Sequence, residues 1–219
     1  MGSMGFFKLF RSESHTPDLA ADTRSGERPT RHSSGLAEFT KLLTGKESLN
    51  ILDLGPTSPQ NISVLTGLGH RVFNEDVLLA SLDPAYIAQE EDGTKRIKVA
   101  EFLAENLNHE PQKFDAVLCW DIPDYLHESL VKVLVERLAA VMKPGGVVLA
   151  YFHTKDAGAD APYYRYHIAG KDLLSLQRGP QFRLQRVFNN RHIENLFKDF
   201  SNIKFFLARD NVREVLVVR

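Results

Sequence analysis

The run Asn50-Ile51-Leu52-Asp53-Leu54-Gly55 decides how the rest of the chain is read. Its aliphatic residues mark a short buried strand, and the glycine at its end marks an abrupt turn. A carboxylate inside such a strand is costly unless it is paired. At the carboxyl end of a central strand, Asp53 can hold the turn amides or a ligand cation, while Gly55 lets backbone and ligand approach closely. An ordinary strand-turn-helix junction is the other reading of the same residues.

Working outward, strand and helix signals alternate. Upstream, Leu36, Phe39, Leu42 and Leu43 recur at helical spacing and Gly45 closes that helix. Downstream, Ile62 to Leu68 reads as a helix stopped by Gly69, and Val72-Phe73 as the next strand. Leu78 to Leu107 is mostly helical in pattern, broken at Asp83-Pro84 and Asp92-Gly93, with a brief strand at Ile97 to Val99. Phe114 to Trp120 is apolar almost throughout, as a parallel strand covered on both faces should be. Leu126 to Met142 then predicts a helix, ended by Lys143-Pro144-Gly145-Gly146 before a strand over Val147 to Phe152. This order implies right-handed crossovers and a three-layer, doubly wound α/β fold with a mostly parallel sheet.

The last third changes rhythm. Tyr163 to Ile168 and Leu173 to Gln177 predict a small hairpin, Arg183 to Phe188 a strand and Arg191 to Phe200 an amphipathic helix. Ile203 to Ala208 and Glu214 to Val218, joined by Arg209-Asp210-Asn211, predict an antiparallel hairpin at the sheet edge.

Composition narrows the functional classes. Lys plus Arg total 27 against 28 for Asp plus Glu, so no global field draws the chain to nucleic acid or an anionic membrane. A local basic patch from Arg165, Arg178, Arg183, Arg186 and Arg191 is the weaker alternative. The single cysteine, Cys119, excludes an intramolecular disulfide and a cluster of several thiolates within one chain. No metal site is expected. Without a transmembrane-length apolar run or a signal-peptide pattern, the expected location is the cytoplasm.

Met1-Gly2-Ser3 reads as an expression remnant ahead of a native start at Met4, and residues 11–34 as a flexible tail poor in apolar residues. The domain is then expected over residues 35–219. Gly5-Phe6-Phe7-Lys8-Leu9-Phe10 could dock on a protein partner, on a membrane surface or back onto the domain.

A second carboxylate site lies at Phe73-Asn74-Glu75-Asp76. In nucleoside-binding α/β folds an acid ending the second strand accepts hydrogen bonds from the ribose hydroxyls, about 20 residues past the glycine turn. Asp76 stands at that distance from Gly55, and Glu75 is its neighbouring alternative. With Phe114-Asp115-Ala116-Val117 and Lys143-Pro144-Gly145-Gly146-Val147, these segments resemble the class I S-adenosylmethionine-dependent methyltransferases over roughly Leu36 to Arg219.

The resemblance implies a seven-stranded sheet closing on a C-terminal antiparallel hairpin, and S-adenosylmethionine as cofactor. It implies that Asp53, Gly55, Pro56 and Thr57 surround the methionine part, with Asn61 reaching the same pocket, and that Glu75 or Asp76 binds the ribose. Glu101 and Phe102 would meet the adenine, and the strand ending at Trp120 would lead into the reaction centre. The first turn, Gly55-Pro56-Thr57-Ser58-Pro59-Gln60-Asn61, departs from the family in keeping a single glycine.

Methyl transfer is an in-line displacement from a sulfonium, so the protein must chiefly align a nucleophile and take its proton where required. In Trp120-Asp121-Ile122-Pro123-Asp124-Tyr125-Leu126-His127, Asp121 is the candidate base. Tyr125, His127, Tyr151 and His153 are candidates for shaping the acceptor pocket. The acceptor is not legible in the residues. A methyltransferase-like protein without catalysis, serving regulation or interaction, is the alternative that the glycine-poor turn and the aromatic tail suggest. A nicotinamide-dependent oxidoreductase would need the missing Gly-x-Gly-x-x-Gly turn.

Overall fold

The computed structural model describes residues 28–46, 48–91, 93, 95–155, 163–206 and 210–219. The Gly5 to Phe10 aromatic stretch and most of the expected tail therefore lie outside the described residues.

In chain order the elements are β1 (Thr30–His32), α1 (Ser34–Leu43), β2 (Asn50–Asp53), α2 (Pro59–Gly67), β3 (Arg71–Asn74) and α3 (Val77–Ala80). A single 3-10 turn, Pro84–Tyr86, precedes β4 (Ile87–Gln89), β5 (Lys95–Ile97), α4 (Val99–Glu105), β6 (Phe114–Trp120), α5 (Ile122–Tyr125) and α6 (Glu128–Val141). The chain continues through β7 (Met142–His153), β8 (Tyr164–Ile168), β9 (Leu173–Arg178), α7 (Asn190–Leu196), β10 (Asn202–Phe206) and β11 (Val212–Val218).

The main sheet runs β10-β11-β7-β6-β2-β3. The pairs β2–β3, β2–β6 and β6–β7 are parallel, whereas β11 runs antiparallel to both β7 and β10. From β2 the chain steps outward to β3, then crosses back to build β6 on the other side. This reversal puts a topological switch point between the carboxyl ends of β2 and β6, the place where doubly wound sheets bind ligands. The core sits where the sequence predicts it: Ile51, Leu52, Val117, Leu118, Cys119, Val148 and Leu149 are fully buried.

Several expectations need correction. The main sheet has six strands among the described residues, not seven. Where a brief strand over Ile97 to Val99 was expected, β5 ends at Ile97 and pairs antiparallel with β4 as a separate ribbon. The charge-rich stretch from Glu90 to Arg96 offers too little apolar surface for a strand buried in the sheet. Arg183 to Phe188 is not a strand. The amides of Gln185 and Arg186 bond instead to the carbonyl of Asp124, at 2.8 and 3.2 Å, which ties this segment to α5.

The helix expected from Leu126 is preceded by a separate turn, α5, with Pro123 in its first positions. Secondary structure among the described residues also begins before Leu36. Thr30–His32 pairs antiparallel with β9, extending the β8–β9 hairpin to three strands. Ser33 caps α1 through its hydroxyl, which accepts from the Leu36 amide at 2.9 Å.

One buried ion pair fastens this N-terminal arm to the sheet. Arg31, 8% exposed, places Nη2 2.8 Å from Oε1 of Glu214 and bonds Asp210 through Nε. Glu214, on β11 and 2% exposed, also accepts from the Gly35 amide at 2.5 Å. A Cβ at position 35 would meet that carboxylate at 2.9 Å, so the glycine is what permits the approach. Removing one partner of a buried pair strands the other charge. Arg31→Ala should therefore cost about 3 kcal/mol, read as a fall in the urea midpoint. A cost below roughly 1 kcal/mol, as for a surface pair, would contradict this role for the arm.

Candidate active site

The carboxyl edge of β2 is organised by Asp53, which is 2% exposed. Its Oδ1 accepts from the Gly55 amide at 3.0 Å and from the Trp120 indole N–H at 2.7 Å. Its Oδ2 accepts from Nδ2 of Asn61 at 3.0 Å. Burial pushes the carboxyl above its ordinary range, and these donors pull it back.

Both oxygens are thus engaged from within the chain. Of the two readings open from sequence, holding the turn is the one Asp53 performs. Asn61 is similarly committed: its Nδ2 also reaches the Tyr166 carbonyl at 3.2 Å, and its Oδ1 accepts from the Ile168 amide at 2.7 Å. Asn61 joins the first turn to β8 and is not free to reach a ligand.

Gly55 has a different neighbour from the one expected. A Cβ there would lie 2.9 Å from Cδ1 and 3.1 Å from Nε1 of Trp120. The indole, 3% exposed, lies against the turn and stacks on Tyr166 at 9° between planes and 5.3 Å between centroids. Trp120 itself has φ of 51°, a left-handed backbone that bulky residues rarely adopt. A register irregularity between Leu118 and Trp120 accompanies this conformation on the β7 side. The side chain that sequence reading placed at the entrance to the reaction centre fills the space above the glycine.

The other sequence candidates divide. Pro56 is half-buried, and the Thr57 hydroxyl donates to Oδ1 of Asn74. Asp76 caps α3, accepting from the Leu79 amide at 3.0 Å through Oδ1. Burial raises its carboxyl, and it is near enough to Asp53 to raise that group as well. Glu75 turns to other partners, the Leu107 amide at 2.7 Å and Nε2 of His109 at 2.5 Å.

Glu101 is exposed on α4, while Phe102, 2% exposed, packs edge-on against Tyr86 at 5.3 Å. Core packing occupies Phe102, so it does not offer a free face for an adenine. His127 is an exposed cap of α6, and the Tyr151 hydroxyl pairs with Ser33 at 3.0 Å.

Across β6 and β7 lies a buried polar cluster. Oδ2 of Asp124 accepts from the His153 amide at 2.6 Å and sits 2.8 Å from Nδ1 of the same residue. This geometry assigns Nδ1 as the donor and leaves Nε2 as the nitrogen that can accept a proton. Oδ2 of Asp121 accepts from the Tyr166 hydroxyl at 3.0 Å. Oδ1 of Asp121 and Oδ1 of Asp124 are buried with no hydrogen-bond partner among the described residues. Tyr125 meets His153 and Tyr163 edge-on, at 5.7 and 5.2 Å.

The charges in this cluster oppose one another. Burial pushes the Asp121 carboxyl up to about 7, against the pull of His153 and the Tyr166 bond. Burial also raises Asp124. For His153, burial disfavours the imidazolium, but the Asp124 bond and the charges of Asp121, Asp124 and Asp210 outweigh it and hold the ring above its ordinary value. Sequence reading placed His153 in the pocket wall but missed its pairing with Asp124. Two residues 29 apart in sequence are joined only by the β6–β7 register.

Residues 52–150 match the profile of the methyltransferase domain family. That match spans less than half of the chain, whose fold is the Rossmann-like one of the class I methyltransferases. Its fold is shared with a protein from Sulfolobus solfataricus designated a type 11 methyltransferase, at 12% identity and TM-score 0.50, over 86% of this chain and 94% of that one. An S-adenosylmethionine-dependent methyltransferase from Mesorhizobium loti is 13% identical, with TM-score 0.47 over 85% and 98% of the two chains. The 1,6-didemethyltoxoflavin-N1-methyltransferase of Burkholderia thailandensis, solved with bound S-adenosylhomocysteine, is 12% identical, with TM-score 0.47 over 85% and 79%. No curated protein matches the sequence. Among the described residues no helix is long and apolar enough to cross a membrane.

The raised Asp121 carboxyl predicts a pH dependence. The folded chain holds this proton up to about 7, whereas an unfolded Asp releases it near 4, so stability falls as pH rises through that window. Each pH unit over which only the folded state is protonated costs about 1.4 kcal/mol. Asp121→Asn should flatten the fall in urea midpoint between pH 4 and 7. An unchanged slope would show that Asp121 ionises as freely folded as unfolded.

Proposed function

We propose that the chain is a methyltransferase that uses S-adenosylmethionine and that its acceptor sits between α5 and the end of β7. The observation that carries the reading is the His153–Asp124 pair, buried at the carboxyl edge of the domain that matches the family profile. Methyl transfer to a hydroxyl or protonated nitrogen leaves a proton to remove, and an imidazole held by a carboxylate suits that task. His153 is the proton acceptor in this account, through Nε2. Asp124 positions it, and Asp121 favours the imidazolium through its charge. That assignment moves the proton from Asp121, the base suggested by sequence and 1% exposed, to His153, whose side chain is 15% exposed.

When bound, S-adenosylmethionine supplies a methyl group on a sulfonium. The residues present fit it at one end and not at the other. Asp76, at the carboxyl end of β3 with its Oδ1 on the helix cap, suits a ribose through its remaining oxygen. The space above Gly55 does not fit a methionine chain, because the Trp120 indole is in it.

Calorimetry with S-adenosylmethionine and S-adenosylhomocysteine tests the reading: saturable binding of both is expected. Absence of heat from either, with protein shown to be folded, would refute cofactor use and favour a non-catalytic role for the domain.

The pairing makes a second prediction. By histidine NMR, His153 should titrate above the ordinary 6.5 or so, because the Asp124 bond and the charges of Asp121, Asp124 and Asp210 outweigh its burial. Asp124→Asn should lower that titration by about one pH unit or more. A midpoint that Asp124→Asn leaves in place would remove Asp124 as the positioning residue.

A further inference from the structure

The mismatch above Gly55 has a specific shape. The Trp120 indole is held on three sides: its N–H donates to Asp53 at 2.7 Å, its face stacks on Tyr166, and its edge meets the backbone at Gly55. Its backbone is left-handed, with φ of 51°, a costly conformation for a bulky residue that persists where surrounding contacts impose it. The contacts that impose it join the end of β6, the first turn after β2, and β8. They meet at the switch point of the sheet, where a ligand of a doubly wound fold belongs.

We propose that Trp120 is an internal occupant and gate of the methionine end of the cofactor seat. The inference rests on the S-adenosylmethionine reading above and adds a residue-level cause for weak binding. A ligand with an amino-acid chain reaches the Gly55 turn only when the indole leaves, giving up the Asp53 bond and the Tyr166 stack. Its apparent dissociation constant is then the intrinsic one divided by the fraction of molecules with the indole out. Asp53 is the group exposed by that departure, so one carboxylate oxygen holds the gate when closed and faces the incoming ligand when open.

Trp120 is the only tryptophan in the chain, so intrinsic emission reports this one side chain. S-adenosylhomocysteine, which carries the amino-acid chain without a transferable methyl, is the probe. Adding it to the full-length protein should shift the emission toward that of a water-exposed indole, saturating at the concentration that saturates the calorimetric heat. Trp120→Phe, which keeps an aromatic ring but loses the donor to Asp53, should bind the probe about tenfold tighter than the parent. Trp120→Ala should bind at least as tightly as the Phe variant, provided circular dichroism shows it folded. The Phe variant alone decides the matter if the Ala variant does not fold.

Saturable heat with unchanged emission, together with equal affinity in Trp120→Phe, would overturn the gate while leaving cofactor use intact. Binding seen only in the variant would support the gate in its strongest form. No heat with parent or variant would overturn the cofactor reading itself, and the gate with it.

Discussion

The carboxylate of Asp53 is the constraint on which the carboxyl edge depends. It accepts from the first turn at Gly55, from α2 at Asn61 and from the end of β6 at Trp120. A buried carboxylate with these donors is tolerable where an unpaired one would not be. Because the donors come from three segments, satisfying the charge also fixes where those segments lie. The second anchor follows from the first: Asn61 passes the connection to Ile168 and Tyr166, which brings the β8–β9 hairpin over the edge. Tyr166 then supplies both the stack for Trp120 and the hydroxyl for Asp121.

The edge consequently has two unlike halves. On the β2 side, polar atoms are paired within the chain and an aromatic ring covers the turn. On the β6–β7 side, two aspartates retain buried oxygens without partners among the described residues, and a histidine is held by one of them. Unpaired buried acceptors are expensive in a low-dielectric setting and cluster where chemistry is performed. Tyr166 touches both halves, stacking on the indole and donating its hydroxyl to Asp121.

Much of the architecture was legible because it follows from local rules. The apolar run Phe114 to Trp120 could only be a central strand, whereas the helix read from Ile62 in fact opens at Pro59, where the Ser58 hydroxyl accepts from the Asn61 amide at 3.1 Å. Elements decided by distant partners were not legible. Thr30–His32 is polar and short, and becomes a strand only because β9 presents an edge to it and Glu214 a buried partner to Arg31. Arg183 to Phe188 has strand-like composition but spends its amides at 185 and 186 on Asp124. At the site, the sequence set Asp53, Gly55 and Trp120 at the ends of neighbouring strands, but their mutual satisfaction was invisible. No spacing rule says that an indole will donate to a carboxylate 67 positions away. The His153–Asp124 pair was hidden for the same reason.

The central claim is that adenosyl cofactor and Trp120 compete for the turn at Gly55. A crystal structure of the protein grown with S-adenosylhomocysteine tests this most directly. The account predicts the ribose beside Asp76, the amino-acid chain against Gly55, and the indole no longer bonded to Asp53. Ligand seated there with the Trp120–Asp53 bond intact, or seated elsewhere on the molecule, would contradict it.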